Sequence, residues 1–229
     1  MNNEIFGISC EIAIADAFNV PVNAEYRERG DIQIINKIKP IIKNIFINCN
    51  IPFPKIHTAE KQNPVDFFLT DGSTLSVKSN KNKLGKVAPQ NIGQPTVQTF
   101  FEYFSDEFKD VDLAYYDTEE KKLLFKKYIL NNPEKIIVDY WKNLFDTDHY
   151  LHFFNLVSGE IEYLYLPKIP PIEFKKENFS FTQTLDSWNE SASLKYNNIT
   201  IGEFQVHKNR NCLKFRFNMN NLLKLLITQ

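Results

Sequence analysis

The sequence predicts an α+β protein. Three observations carry that assignment. Helical apolar spacing dominates residues 3–48 and recurs between about residues 95 and 145. An Asp71-Gly72 turn sits between two alternating apolar runs, which signals a β-hairpin. From Glu160 onward the texture changes to short strand-like runs broken by prolines. At 229 residues one substantial core is expected. Two portions are distinguished, 1–156 and a β-rich 157–229, packed as one unit without a clean boundary, internal repeat or low-complexity tract.

In chain order, residues 3–19 read as a helix whose stripe of Ile8, Ala15 and Phe18 also contains Glu11. An acid inside an apolar stripe either pairs at the stripe's edge or is a buried carboxylate with a task. Residues 20–31 read as a polar connection in which Arg27 and Arg29 either clamp a phosphate or lie in solvent. A second helix carries Ile34, Ile35, Ile38, Ile41, Ile42 and Ile45 at helical spacing, and Pro40 should kink it or split it. Residues 50–62, with Pro52 and Pro54, lead to the hairpin.

The hairpin's register decides which side chains share a face. A two-residue loop would scatter apolar groups over both faces. A three-residue loop, Thr70-Asp71-Gly72 with Gly72 left-handed, pairs Asp66 with Ser76. Phe67, Leu69, Leu75 and Val77 then form one apolar face, while Asp66, Thr74, Ser76 and Lys78 share the other with Phe68. Burial selects the second register, and Asp71 reads as a turn former.

A basic loop with Lys81, Lys83 and Lys86 runs on through Gln90, Asn91 and Gln94. A helix is expected from Pro95 to about Phe108, with Val97, Phe100, Phe101 and Phe104 as its apolar side. Residues 119–130 and 134–145 read as amphipathic helices, and 150–156 as a third, short one. Strands are expected at 161–166, 193–196 and 199–207. A last hairpin should pair Phe204 and Val206 with Phe215 and Leu213, ahead of a helical tail at 220–227.

Composition narrows the function. No apolar run reaches the ~18 residues of a membrane span, and no signal peptide is apparent at the N-terminus. Cys10, Cys49 and Cys212 are odd in number and scattered, which suggests a reducing cytoplasm rather than a disulfide framework or a zinc site. The formal charge of −1 provides no global basic field for nucleic acid, so any such binding must be local. There is no Gly-rich phosphate loop, GxSxG elbow, HExxH or paired CxxC, and the four histidines lack metal-ligand spacing.

Pro64-Val65-Asp66, followed by Ser76-Val77-Lys78 on the next strand, resembles the signature of the PD-(D/E)xK nuclease superfamily as found in type II restriction endonucleases. The pattern departs twice: Val65 separates the Pro from the Asp, and Ser76 stands where a second carboxylate usually does. The motif covers only residues 63–80. The resemblance implies a central mixed sheet flanked by helices, Mg²⁺-dependent hydrolysis of double-stranded DNA, a homodimer, and a cognate DNA methyltransferase in the same system. Other nucleases of that fold (repair, recombination or phage) and a non-catalytic DNA-binding module are the alternatives.

The resemblance makes Asp66 the central Mg²⁺ ligand, the Val77 carbonyl a second ligand, and Lys78 the group that orients water and stabilises negative charge. Ser76 could hold only a metal-bound water. The missing acid is expected from Glu11 first, since such nucleases often supply a Glu from their first helix, or from Glu102 on a downstream helix. Two segments are candidates for reading DNA. One is the last hairpin, with Gln205, His207, Lys214 and Arg216 on its polar face and Lys208 and Arg210 at its tip. The other is the loop with Lys81, Lys83, Gln90, Asn91 and Gln94, together with a helix start at Thr96 suited to a phosphate.

Overall fold

The computed structural model describes residues 3–58, 64–157, 159–170 and 172–227. In chain order the first elements are α1 (Asn3–Phe18), α2 (Ala24–Glu28), α3 (Ile32–Asn48), β1 (Pro54–His57), β2 (Phe67–Leu69), β3 (Thr74–Ser79) and β4 (Lys86–Val87). Then come α4 (Val97–Tyr103), α5 (Thr118–Asn131), α6 (Pro133–Phe145), β5 (His149–Phe154) and β6 (Glu162–Pro167). The chain ends with β7 (Phe179–Phe181), β8 (Ser191–Tyr196), β9 (Ile199–Val206), β10 (Leu213–Asn218) and α7 (Met219–Ile227). The expected α+β class is what this order contains, as two sheets flanked by helices.

The elements form two compact units, Met1–Gly85 with Phe145–Pro170 and Lys86–Leu144 with Pro171–Gln229. The chain therefore crosses between units three times, rather than dividing once after residue 156 as the sequence suggested. The cause is non-local: β5 returns to the first sheet as the parallel neighbour of β3.

In the first unit the sheet order is β1-β2-β3-β5-β6, with only the β3–β5 pair parallel. Helix α1 packs on α3 and on β3. It is buried almost all round rather than along one stripe, as its near-continuous apolar sequence requires. Asn19 (φ 58°) and Asn50 (φ 51°) close α1 and α3 in the left-handed conformation that ends helices. Asn23 and Asp31 cap the starts of α2 and α3 through their side-chain oxygens. The core joins Ile34, Ile35, Ile38, Ile42 and Ile45 of α3 to Phe67, Leu69, Leu75 and Val77 of the hairpin and Leu151 and Phe153 of β5.

Four local expectations change here. Residues 20–31 contain the short helix α2, and α3 runs through Pro40 as one helix. Part of 50–62 is an edge strand, β1. Residues 149–154 form a strand where a helix was expected. Tyr150, Leu151, His152 and Phe153 are all buried, so both faces of β5 are covered and the alternation that marks a strand is erased.

The second unit has an antiparallel sheet, β4-β10-β9-β8-β7. Phe204 pairs with Phe215 and Val206 with Leu213, as expected. The two strands are interior to this sheet, however, not a free ribbon. Phe204, Phe215 and Phe217 bury one face of it together with Phe100, Phe125, Tyr140 and Trp188, and Tyr140 stacks on Phe215 at 4.6 Å. Gly202 is required at its position because an added Cβ would stand 2.5 Å from the Phe215 ring. The expected 95–108 helix is α4 followed by a 3-10 turn at Ser105–Phe108. The loop after Lys78 is not structureless, since it includes β4 and lays Gly93 and Pro95 against β10.

Candidate active site

The site grows from the hairpin. Phe67 pairs with Leu75 and Phe68 with Thr74, so the register puts Asp66 opposite Ser76, as the three-residue loop predicts. Gly72 adopts φ 89°, and Asp71 accepts from the Ser73 amide at 2.9 Å and the Ser73 hydroxyl at 2.6 Å, which stabilises the turn. Phe67, Leu69, Leu75 and Val77 are buried against the helices. The opposite face carries Asp66, Ser76 and Lys78, themselves 3%, 1% and 9% exposed.

Polar groups this deeply buried must satisfy one another. Asp66 Oδ2 accepts from the Val77 amide at 2.5 Å and the Ser76 hydroxyl at 3.3 Å, and lies 3.5 Å from Lys78 Nζ. Lys78 Nζ also donates to Ser76 Oγ at 2.6 Å and to the Val77 carbonyl at 3.1 Å. Burial pushes the Asp66 carboxyl up to about 6; Lys78 opposes that rise, and the charge of Glu11 adds to it. Glu11 is thus near enough to Asp66 for the two carboxylates to repel.

Glu11, 7% exposed, stands on α1 and is engaged through one oxygen. Its Oε2 accepts from the Tyr26 hydroxyl at 2.6 Å and meets His57 Nε2 at 3.1 Å. No described residue donates to Glu11 Oε1 or to Asp66 Oδ1. Among the described residues no three His, Cys, Asp or Glu side chains gather as a ready metal-ligand set. The oxygen groups in this neighbourhood are the two carboxylates, whose charges interact, and the Val77 carbonyl. This all-oxygen set suits a hard divalent cation that keeps several waters, which needs only one or two carboxylates.

Three residues beside the cluster were not singled out from sequence. Tyr26 and His57 hold Glu11. His152 on β5 is the direct register partner of Lys78 and is fully buried, with Nδ1 3.2 Å from the Tyr150 hydroxyl and Nε2 unbonded. Burial, with Lys78 adding to it, holds its imidazole down to about 3, so it is neutral at ordinary pH. Only the pairing of β3 with β5 reveals this neighbour, and no local spacing encodes it.

The remaining candidates lie elsewhere. Glu102 belongs to α4 in the second unit, is exposed, and accepts from Gln98 at 2.8 Å. Arg27 is bidentate to Asp16 (2.6 and 3.1 Å) and Arg29 pairs with Glu4, which occupies the proposed phosphate clamp. Lys81 and Lys83 are exposed in the first unit, and Asn91, Gln94 and Thr96 are exposed in the second, with Gln90 half-buried. Thr96 already caps α4 through the Thr99 amide.

The polar face of β9 and β10 is less basic than the sequence suggested. Glu203, one residue before the acid-free stretch that begins at Phe204, accepts from Lys86, Gln205 and Arg216. His207 lies 3.2 Å from Glu190. Lys214 is half-buried, and Lys208 and Arg210 are exposed at the tip.

An acid–lysine pair buried on adjacent strands beside a second carboxylate suits hydrolysis assisted by a divalent cation. No family model and no solved structure matches the chain. The chain is similar to a protein of Paramecium bursaria Chlorella virus 1 named type II restriction enzyme CviAII, being 36% identical to it over 174 residues. That stretch is 76% of this chain and 47% of the relative, so the chain spans about half the relative's length. No described helix is long and apolar enough to cross a membrane.

Proposed function

We propose that the protein is a type II restriction endonuclease of the PD-(D/E)xK kind, cutting double-stranded DNA at a specific sequence with Mg²⁺. The observation that carries this reading is the buried Asp66–Ser76–Lys78 cluster with Glu11 beside it. The likeness to a protein named type II restriction enzyme supports the same reading. Asp66, Glu11 and the Val77 carbonyl would hold the ion. When bound, Mg²⁺ supplies a Lewis acid and an activated water. Lys78, pinned by Ser76 and the Val77 carbonyl, holds its ammonium beside Asp66, where it can orient the attacking water and offset charge on the phosphate. Ser76 positions Lys78 rather than replacing a carboxylate. Glu11 supplies the acid that Ser76 lacks, in preference to Glu102, because its charge is felt at Asp66 within one unit.

DNA contacts are assigned to Lys81, Lys83, Gln90, Asn91, Gln94 and Thr96, and to the sheet face and tip carrying Gln205, His207, Lys208, Arg210, Lys214 and Arg216. A homodimer would match a palindromic site, and a methyltransferase of the same specificity would protect the host's own DNA. Incubation of phage DNA with the protein and Mg²⁺ tests the proposal. Discrete fragments are expected. A smear would point to a general nuclease, and a mobility shift without cleavage to a binding module.

A further inference from the structure

Glu11 is buried, so its charge needs partners, yet it is served unevenly. Both donors converge on Oε2, from Tyr26 at 2.6 Å and His57 at 3.1 Å, while Oε1 accepts from no described residue. Asp66 repeats the pattern: Val77, Ser76 and Lys78 all address Oδ2. Neither of the two unused oxygens is a sealed, orphaned atom. Two buried carboxylates of one unit whose charges interact, each clamped through one oxygen and open at the other, suit a divalent cation held between them.

Tyr26 and His57 are rigidly held. Asn23 caps the helix that bears Tyr26, and the Arg29 guanidinium lies 5.4 Å from the Tyr26 ring centre. His57 is paired with Phe67 in the sheet, and its ring sits 5.0 Å from both Tyr26 and Phe67. Hydrogen bonds of this kind to a ligating carboxylate fix its orientation and typically raise metal affinity.

We infer that Tyr26 and His57 are positioning residues that lock Glu11 through Oε2 and reserve Oε1 for a divalent cation shared with Asp66. This rests on the proposed reading of the site as a metal centre. The test is Mn²⁺ binding to the DNA-free protein by calorimetry, alongside its thermal midpoint with and without Mn²⁺. Tyr26→Phe and His57→Leu should each weaken Mn²⁺ binding about tenfold or more. His57→Gln, which keeps an amide donor, should bind like the wild type. Mn²⁺ should raise the thermal midpoint of the wild type more than that of Tyr26→Phe, a metal-dependent difference that a merely structural role would not produce. If His57→Leu does not fold, Tyr26→Phe decides. Loss of Mn²⁺ binding in Glu11→Gln with unchanged binding in Tyr26→Phe would overturn the inference and leave the metal centre standing. Failure of the wild type to bind Mn²⁺, or binding unaltered in both Glu11→Gln and Asp66→Asn, would overturn both.

Discussion

The two sheets treat their charges in opposite ways. In the first, Asp66, Ser76, Lys78 and His152 are buried on one sheet face and only partly satisfied: His152 Nε2 has no partner, and Asp66 is bonded through one oxygen. In the second, Glu203, Gln205, Lys214 and Arg216 are half-exposed, and Glu203 neutralises both Lys86 and Arg216, leaving Arg216 Nε as the one unbonded buried atom among these four described residues. Burying a charge is expensive, whereas a surface ion pair contributes little either way. The first arrangement therefore asks for a functional explanation, and the second is accounted for largely by sheet chemistry. That contrast is what favours the first sheet as the proposed seat of catalysis.

The largest expected effect follows from that assignment. Asp66→Asn keeps the side chain's shape but removes the charge that would hold the ion, and should abolish cleavage with DNA binding retained. Single-turnover rates and filter binding measured on the same preparation separate the two. Next comes the contest between acids. Glu11→Gln should raise the Mg²⁺ or Mn²⁺ concentration needed for half-maximal cleavage, and Glu102→Gln should leave it nearly unchanged. The reverse ranking would move the metal ligand to the second unit. Because the ion requires ionised Asp66, Mn²⁺ affinity should also fall as the pH drops through about 6.

His152 offers a smaller and independent test. Its imidazole is held down to about 3 from an ordinary value of 6.5, so the folded state keeps it neutral where the unfolded chain protonates it. The associated stability is complete above pH 6.5 and is lost as the pH falls toward 3, at about 1.4 kcal/mol per pH unit. Asp66 acts in the opposite sense across part of that range, because its raised pKa favours the folded state on acidification until the unfolded carboxyl also protonates. The wild type should therefore be compared with His152→Gln, in which the Asp66 contribution cancels. The stability of His152→Gln relative to the wild type should rise steadily as the pH falls below 6.5, and a pH-independent difference would place His152 in a more polar setting than the structure gives it.

The smallest expected effects lie on the second sheet. Arg216 is already engaged by Glu203, so Arg216→Ala should weaken DNA binding less than Arg210→Ala at the exposed tip. A residue that reads a guanine should cost about 1–3 kcal/mol and relax preference at one base pair. One that touches only phosphate should weaken all duplexes alike and flatten the salt dependence. Competition binding with single-substitution duplexes decides between these. A base-specific loss at Arg216 would break the contrast drawn above.

How much of this the sequence made legible depended on distance along the chain. The Asp71-Gly72 turn and the demand to bury Phe67, Leu69, Leu75 and Val77 were enough to set the register that brings Asp66 and Ser76 together. Glu11 stood out because a carboxylate interrupted an apolar helix. The pairing of Phe204 with Phe215 was likewise local. β5 was hidden because a strand buried on both faces has no alternation, and its partner β3 lies some seventy residues earlier. With β5 went His152. Tyr26 and His57 were hidden because they meet Glu11 only after α2 and β1 have docked beside α1. The basic character read into the last hairpin is offset by one residue just outside the acid-free stretch, Glu203, which pairs with Arg216 across the strands.

The most direct test of the account concerns Lys78. Lys78→Met preserves the length of a buried side chain while removing the ammonium that meets Asp66, Ser76 and Val77. Wild type and variant should be assayed together with Mg²⁺ on the same DNA, for cleavage and for binding. The account predicts discrete fragments from the wild type, and no cleavage but near-normal DNA affinity from the variant. Wild-type cleavage by Lys78→Met would contradict it and remove the first sheet as the catalytic centre.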